Sequence, residues 1–410
     1  MLYSVLQYRI EIMYIKNQYD KINLKKEPIA LQNNETIVEN INRLIAHIQN
    51  HKIVATKANR HFGMKHITSF NELLTNPIEI LSLRPSQKTY PNVNGLYLLL
   101  RSMGFLQFKF SKKEIIIEID KEMLEHWKRL NPTEQYFMLL EFWLIHANPE
   151  EIIDGFHRSS LMALIDFFTR NGFSRKKVLS ELNYAPEYTN LALCEMFGFV
   201  ELETSSPQEK NRWNITNIHL KPLVKKIISL INIRREDDLM LLLNPPKIGF
   251  FQEIFQPYFR EFNQTLVLPS SSGIEKGVYR LKLSLGRVYR IIEIDANSTF
   301  EFLANSIVEQ FDFDCDHLYE FRFVDNFGKK RSIKHSYMSE ELEGDFWADE
   351  YCLKNLPLKA LEHFEFIFDF GDWWEFDILI ENIDESREID KIVLIKSQGE
   401  APKQYDFEEF

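Results

Sequence analysis

The sequence predicts an α+β protein, with mostly helical, winged-helix-like modules at the N-terminal end followed by a C-terminal α+β domain with a β-grasp-like start. Three observations carry this. Apolar residues recur at helical spacing early in the chain, as at Ile37, Ile41, Leu44, Ile45 and Ile48. From Tyr279 onward apolar and polar residues alternate with period two. Between the regimes lies "LPSSSGIEKG", residues 268–277, a Pro, Ser and Gly cluster typical of a boundary. At 410 residues the chain exceeds one ordinary core. The expected division is a first module at 1–131, a second at 132–243, a linker at 244–277 and the α+β domain at 278–410.

In the first module, "NVNGLYLLLRSMGFLQFKFSKKEIIIEI" reads as a helix, a stop at Gly104, and two strands joined at Ser111, Lys112 and Lys113. The second module repeats this grammar. Helices are expected around Pro132 to Ala147, Ser159 to Asn171 and Ser174 to Leu182, then the helix of "PEYTNLALCEMFGFVEL", a polar wing-like segment, and the closing helix "KPLVKKIISLIN". An apolar helix ending in Met-Gly-Phe or Met-Phe-Gly-Phe precedes a strand in both, a weak internal echo.

A DNA-reading winged helix carries polar and basic groups on the helix before the wing. The first module offers Asn92, Asn94, Arg101 and Ser102, and the second Glu187, Tyr188, Thr189, Asn190 and Glu195, so neither helix is basic. Basic residues cluster elsewhere, at Lys52, Lys57, Arg60 and Lys65, at Lys225, Lys226, Arg234 and Arg235, and at Arg175, Lys176 and Lys177. The last trio is the candidate nucleic-acid contact, and a solvated face is its ordinary reading.

In the C-terminal domain "VYRLKLSL" alternates as a half-buried strand and "VYRIIEI" returns as its hairpin partner after Gly286. Ser298 and Glu301 match a capping box before a helix that buries Phe300, Leu303, Ile307 and Phe311, and "HLYEFRF" is the next strand. Farther on, "FIFDFGDWWEFDILIENI" reads as a hairpin whose register is calculable. A two-residue loop would set Phe368 against Glu375. A three-residue connection centred on Asp372 pairs Phe370 with Trp374, Phe368 with Phe376, Phe366 with Ile378 and Phe364 with Ile380, burying every large residue on one face. That register sets Asp369 opposite Glu375, with Asp372 in the turn and Trp373 beside them.

Asp369, Asp372, Trp373 and Glu375 are therefore the candidate binding residues. Three converging carboxylates repel unless water, a cation or a basic partner screens them. The pattern admits a solvated acidic face, a cation or basic-peptide site, and an acid/base dyad. Asp314, Asp316 and His317 in "DFDCDHLYEF" form a second possible metal set, whereas His61 and His66 read as unrelated surface histidines. No nucleophile elbow, Gly-rich phosphate loop, H-E-x-x-H or C-x-x-C occurs, so no catalytic residue and no cofactor are expected.

Composition narrows the partners. The proportions, 45% hydrophobic and 27% charged, are those of a globular protein. Residues 278–410 hold 15 Lys+Arg against 30 Asp+Glu, a net of −15, leaving 34 against 30 before them. A strongly negative domain repels phosphate backbones, so duplex DNA is expected only through residues 1–277. The most apolar run, "YFMLLEFWLIHA", is shorter than a bilayer requires and is interrupted by Glu141, so it reads as a buried helix and no membrane partner is expected. The start does not read as a signal peptide, and three scattered cysteines fit neither a zinc cluster nor a closed disulfide framework. A cytoplasmic protein with a protein partner is the expectation.

The strings "YRLKLSL", "VYRIIEI", "DHLYEFRF", "FDFGDWWEFDI" and "KSQGEAPKQY" together resemble the plasmid pRiA4b ORF-3-like family over about Val278 to Tyr405. The resemblance implies an α+β domain, an association with mobile elements and no secure activity. The chain departs from the family in two places, with Tyr289 before Arg290 where Trp is common, and Phe376 where a His is common. Any metal or proton-transfer role of that histidine would be lacking here. The function expected is a non-catalytic interaction protein, with a DNA-associated regulator and a metal-dependent enzyme at the acidic tip as alternatives.

Overall fold

The computed structural model describes residues 35–57, 59–111, 113–146, 177–178, 188–207, 209–210, 212–233, 247–268, 275–325, 330–340 and 346–405. The chain is a mixed α+β protein, helical toward its N-terminal end and β-rich toward its C-terminal end. It divides into two compact units, Met1–Phe108 with Ile115–Pro269, and Ser270–Phe410 with Lys109–Glu114. Among the described residues no helix is long and apolar enough to cross a membrane.

In the first unit, helix α1 (Ile37–Asn50) buries the periodic set Ile37, Ile41, Leu44, Ile45 and Ile48. Strands β1 (Ile53–Ala55), β2 (Leu106–Phe110) and β3 (Ile115–Ile119) form a sheet in the order β1-β3-β2, with helices α2 (Met64–Leu73) and α3 (Pro91–Ser102) between β1 and β2. Pro91 opens α3, where its missing N–H costs no helical bond, and Gly104 at φ +78° ends the turn in the left-handed region that favours glycine. Asp120 caps α4 (Lys121–Arg129), and Asn131 with Glu134 forms a capping box on α5 (Pro132–Glu141).

The second half of this unit has strand β4 (Lys177–Val178), helix α6 (Tyr188–Met196), strands β5 (Val200–Thr204) and β6 (Ile215–Leu220), and helix α7 (Pro222–Ile233). The sheet order is β4-β6-β5. Lys177 and Val178, expected within a helix, instead pair with Ile218 and Asn217, because β6 needs a neighbour on its second edge. The helix expected at Ser159 to Asn171 lies outside the described residues.

Within 244–277, read from sequence as a linker, residues 247–268 carry helix α8 (Phe250–Phe255) and bury Phe251, Ile254, Phe255, Phe259, Phe262 and Leu266. Two buried glutamates of α5 hold this stretch. Glu134 accepts the amides of Asn263 (3.0 Å) and Gln264 (2.7 Å), and Glu141 those of Gly249 (2.7 Å) and Phe251 (2.8 Å). The latter amides belong to the start of α8, where a carboxylate meets unsatisfied N–H groups and the positive end of the helix dipole.

The second unit is built on an eight-stranded sheet. Its strands are β7 (Val278–Leu285), β8 (Val288–Asp295), β9 (Tyr319–Val324), β10 (Lys330–Lys334), β11 (Phe346–Trp347), β12 (His363–Phe368), β13 (Trp374–Asp384) and β14 (Val393–Gln398), in the order β11-β10-β9-β12-β13-β7-β8-β14. Helix α9 (Phe300–Gln310) contributes Phe300, Leu303 and Ile307 to a core shared with Leu281, Ile292, Phe321, Phe366 and Phe376. The helix cap differs from the Ser298 box: Thr299 Oγ1 accepts the Phe302 amide at 3.2 Å.

The β12–β13 register is also displaced. Phe368 pairs with Trp374, Phe366 with Phe376 and Phe364 with Ile378, two residues from expectation, and the loop is the five residues Asp369 to Trp373. Asp369 explains the shift. It adopts φ +56°, its carboxylate accepts the amides of Gly371 (2.9 Å) and Asp372 (3.4 Å), and its carbonyl accepts that of Trp373 (2.7 Å). Aspartate tolerates this region and closes such turns with its side chain. Because both loop lengths are odd, the same large residues still face the core. Phe370 alone leaves the strand and is exposed.

Candidate functional site

In the second unit three separated strings of sequence meet: the loop before β9, the β12–β13 loop and the segment after β14. His317 Nε2 lies 3.0 Å from Tyr405 Oη, 3.4 Å from Asp369 Oδ2 and 3.6 Å from Asp316 Oδ1. Tyr405 Oη is 2.9 Å from both Asp316 oxygens. Gln404 Nε2 donates to the Asp314 carbonyl (3.2 Å), to Asp316 Oδ1 (3.3 Å) and to Tyr405 Oη (2.9 Å), while Gln404 Oε1 accepts the Asp314 amide. Desolvation, the bond to Asp316 and the Asp314 and Asp369 carboxylates push the Tyr405 phenol up to about 12, so it stays protonated and donates. Each polar group has a partner within the cluster. The arrangement works as a clasp between the C-terminal segment and the hairpin loop.

The expected acidic tip is rearranged accordingly. Asp369 does not oppose Glu375. It is buried, and the residue opposite Glu375 is Ile367. Asp372 stays exposed in the loop, and Glu375 belongs to the sheet face turned away from the core. Among the described residues no group of three or more His, Cys, Asp or Glu is placed to hold a metal ion, which covers the Asp314, Asp316 and His317 set.

The outer sheet face carries the charge crowding that the sequence reading located at the tip. Glu365 sits directly opposite Asp377 on β13 and opposite Arg322 on β9, and Glu375 is the next outward residue toward the loop. Partial burial first, then Glu375, with a smaller contribution from Asp377, holds the Glu365 carboxyl above its ordinary range against the pull of Arg322 and Lys330. Arg322 is engaged by Glu320, through Nε at 2.6 Å and through Nη2. The Arg322 guanidinium also lies 5.2 Å from the centroid of Trp373, which is 46% exposed. His363 Nδ1 is 2.8 Å from Asp377 Oδ1. Glu365, Asp377 and Arg322 were missed from sequence because which of them face one another depends on strand pairing and on a register displaced by two residues from expectation.

In the first unit most of the residues a DNA-reading helix would present are turned inward, although Tyr188 and Glu195 are only half-buried and Glu187 lies outside the described residues. Asn92, Asn94, Arg101, Ser102, Thr189 and Asn190 are all buried. Helices α3 and α6 pack on each other, and a Cβ on Gly95 would come 2.9 Å from Leu193 Cγ. Asn94 Nδ2 donates to Thr189 Oγ1 (3.2 Å), and Asn190 Oδ1 accepts from Trp143 Nε1 (3.0 Å). Arg175 and Lys176 lie outside the described residues, and of Lys177 only the strand backbone is described.

A family model described as plasmid pRiA4b ORF-3-like protein matches residues 278–405. It ties the C-terminal region, not the whole chain, to that family. The crystal structure of a protein of unknown function from Methanosarcina mazei Go1 is similar over 31% of this chain and 72% of that chain, at 26% identity and a TM-score of 0.27. No curated protein matches the chain.

Proposed function

We propose that the chain is a non-catalytic interaction protein associated with mobile elements, and that the outer face of its C-terminal sheet docks a basic segment of a partner protein. The observation carrying this is Glu365 set directly across the sheet from Asp377 with Glu375 beside them. Like charges directly opposite destabilise a sheet, and a Lys- or Arg-bearing partner turns that cost into attraction. The adjoining Trp373, 46% exposed, already receives the Arg322 guanidinium on its ring, the kind of group a basic partner would bring. The clasp around His317 supports a structural rather than catalytic reading, since its groups bond to each other and it includes no activated nucleophile.

The N-terminal unit fits a pair of winged-helix-like modules whose recognition-type helices, α3 and α6, serve as a mutual interface. The inward-facing asparagines speak against base reading by those helices.

The test is titration of the full chain with an Arg/Lys-rich peptide, compared with a triple variant, Glu365→Gln, Glu375→Gln and Asp377→Asn. Salt-sensitive binding by the parent and at least about tenfold weaker binding by the variant is expected, given the strength of charge-assisted hydrogen bonds. Equal binding by both removes the proposal.

A further inference from the structure

Helix α3 carries near its C-terminal end an arginine that no carboxylate of the described residues meets. Arg101 is 3% exposed, its Nη1 donates to Tyr97 Oη at 3.2 Å, and its Nε is sealed from solvent without an acceptor. Buried charges in folded proteins are ordinarily matched by a counter-charge and by hydrogen bonds to every donor. Here the described residues supply one phenol and two aromatic faces, with the guanidinium carbon 5.5 Å from the Phe108 centroid and 6.0 Å from that of Tyr97.

The surroundings add positive charge. The Arg60 guanidinium lies 5.8 Å from the same Phe108 ring. Burial first, then Arg101 and Lys88, depress the His61 imidazole to about 4, so both cations act on one small region. Tyr97 fixes the geometry by donating to the Arg60 carbonyl at 2.8 Å, and Arg60 holds φ +58° there. Arg60, His61 and Phe108 are each half-buried and form the outer edge of the cluster, while Lys88 is exposed.

We propose that Arg101, with Arg60 and Lys88, forms a phosphate-binding site at the end of α3. A guanidinium offers parallel N–H donors to two oxygens of one anion, and three cations suit a phosphate better than a single carboxylate. Phe108 packs against both guanidinium groups and orients them. Opening of this half-buried edge admits the anion to Arg101 Nε. The phosphate belongs either to a free phosphate or phosphomonoester, or to a nucleic-acid backbone, and these sources are separable.

The test uses the full chain and inorganic phosphate, with chloride at matched ionic strength as the control. Thermal unfolding is expected to rise in midpoint with phosphate and to saturate, because a ligand held only by the folded state stabilises it by mass action. Arg101→Gln is expected to abolish the rise. The double variant Arg60→Gln, Lys88→Gln alters groups nearer the surface and stands as the folding-competent check, with affinity falling about tenfold or more. A short random-sequence DNA duplex that competes with phosphate identifies a backbone phosphodiester, and one that does not identifies a free phosphate or monoester. No phosphate-specific rise, or a rise unchanged in the double variant, overturns the proposal.

Discussion

Replacing Glu365 by Gln is expected to stabilise the protein while weakening its grip on a basic partner. The carboxylate lies across from Asp377 and near Glu375, while the nearest guanidinium, Arg322, is already engaged by Glu320. Opposed like charges on a sheet cost roughly 0.2 to 1 kcal/mol, so a gain of about 0.5 kcal/mol at neutral pH is the expected size. The pH dependence has a definite sign. With its folded pKa raised, Glu365 binds a proton more tightly in the native state than in the unfolded chain. The parent's stability component is therefore fully present below the ordinary carboxylate range and is lost as pH climbs through the raised value. Gln lacks that component, so the two proteins converge in acid and separate toward neutrality. Urea midpoints measured from about pH 4 to pH 7.5 would display this. A variant less stable than the parent at neutral pH, or a difference independent of pH, would refute the crowding argument.

Other outcomes follow from the same geometry. Glu141→Ala leaves the buried amides of Gly249 and Phe251 without acceptors and is expected to cost about 3 kcal/mol or more, with Glu141→Gln costing less, as read from urea unfolding. Phe368→Ala, emptying a fully buried site in the C-terminal core, is expected to cost about 3 to 5 kcal/mol, and an unchanged midpoint would contradict its burial. His61, depressed to about 4, stays neutral in the fold while the unfolded chain protonates, so stability falls as pH drops from about 6.5 toward 4. Its ceiling of about 3 kcal/mol shrinks to roughly 1 to 2 kcal/mol for a group this open to solvent, and His61→Gln should remove that slope.

Much of the architecture was legible because period carries burial directly. The α1 stripe and the alternating strands β7, β8, β12 and β13 followed from spacing alone. Register was legible only in parity: side-chain alternation distinguishes odd from even loops, and the left-handed turn at Asp369 then chose five residues over three. The role of 247–268 was hidden because its anchors are buried glutamates, which in a linear reading merely interrupt an apolar helix. The acidic pair Glu365 and Asp377 was invisible as a pair, since their opposition depends on that same two-residue displacement. The clasp of His317 with Tyr405 joins positions 88 residues apart, and nothing local in either string announces the other.

The most direct measurement is zero-length carbodiimide crosslinking of the full chain to a lysine-rich peptide, with the joined residues identified by mass spectrometry. The reaction links only a carboxylate and an amine already in contact. Crosslinks concentrated on Glu365, Glu375 and Asp377, and suppressed by salt, are the result predicted for a docking face on the outer sheet. Crosslinks confined to Asp372 in the hairpin loop, or spread evenly over the acidic residues of 278–405, would contradict it.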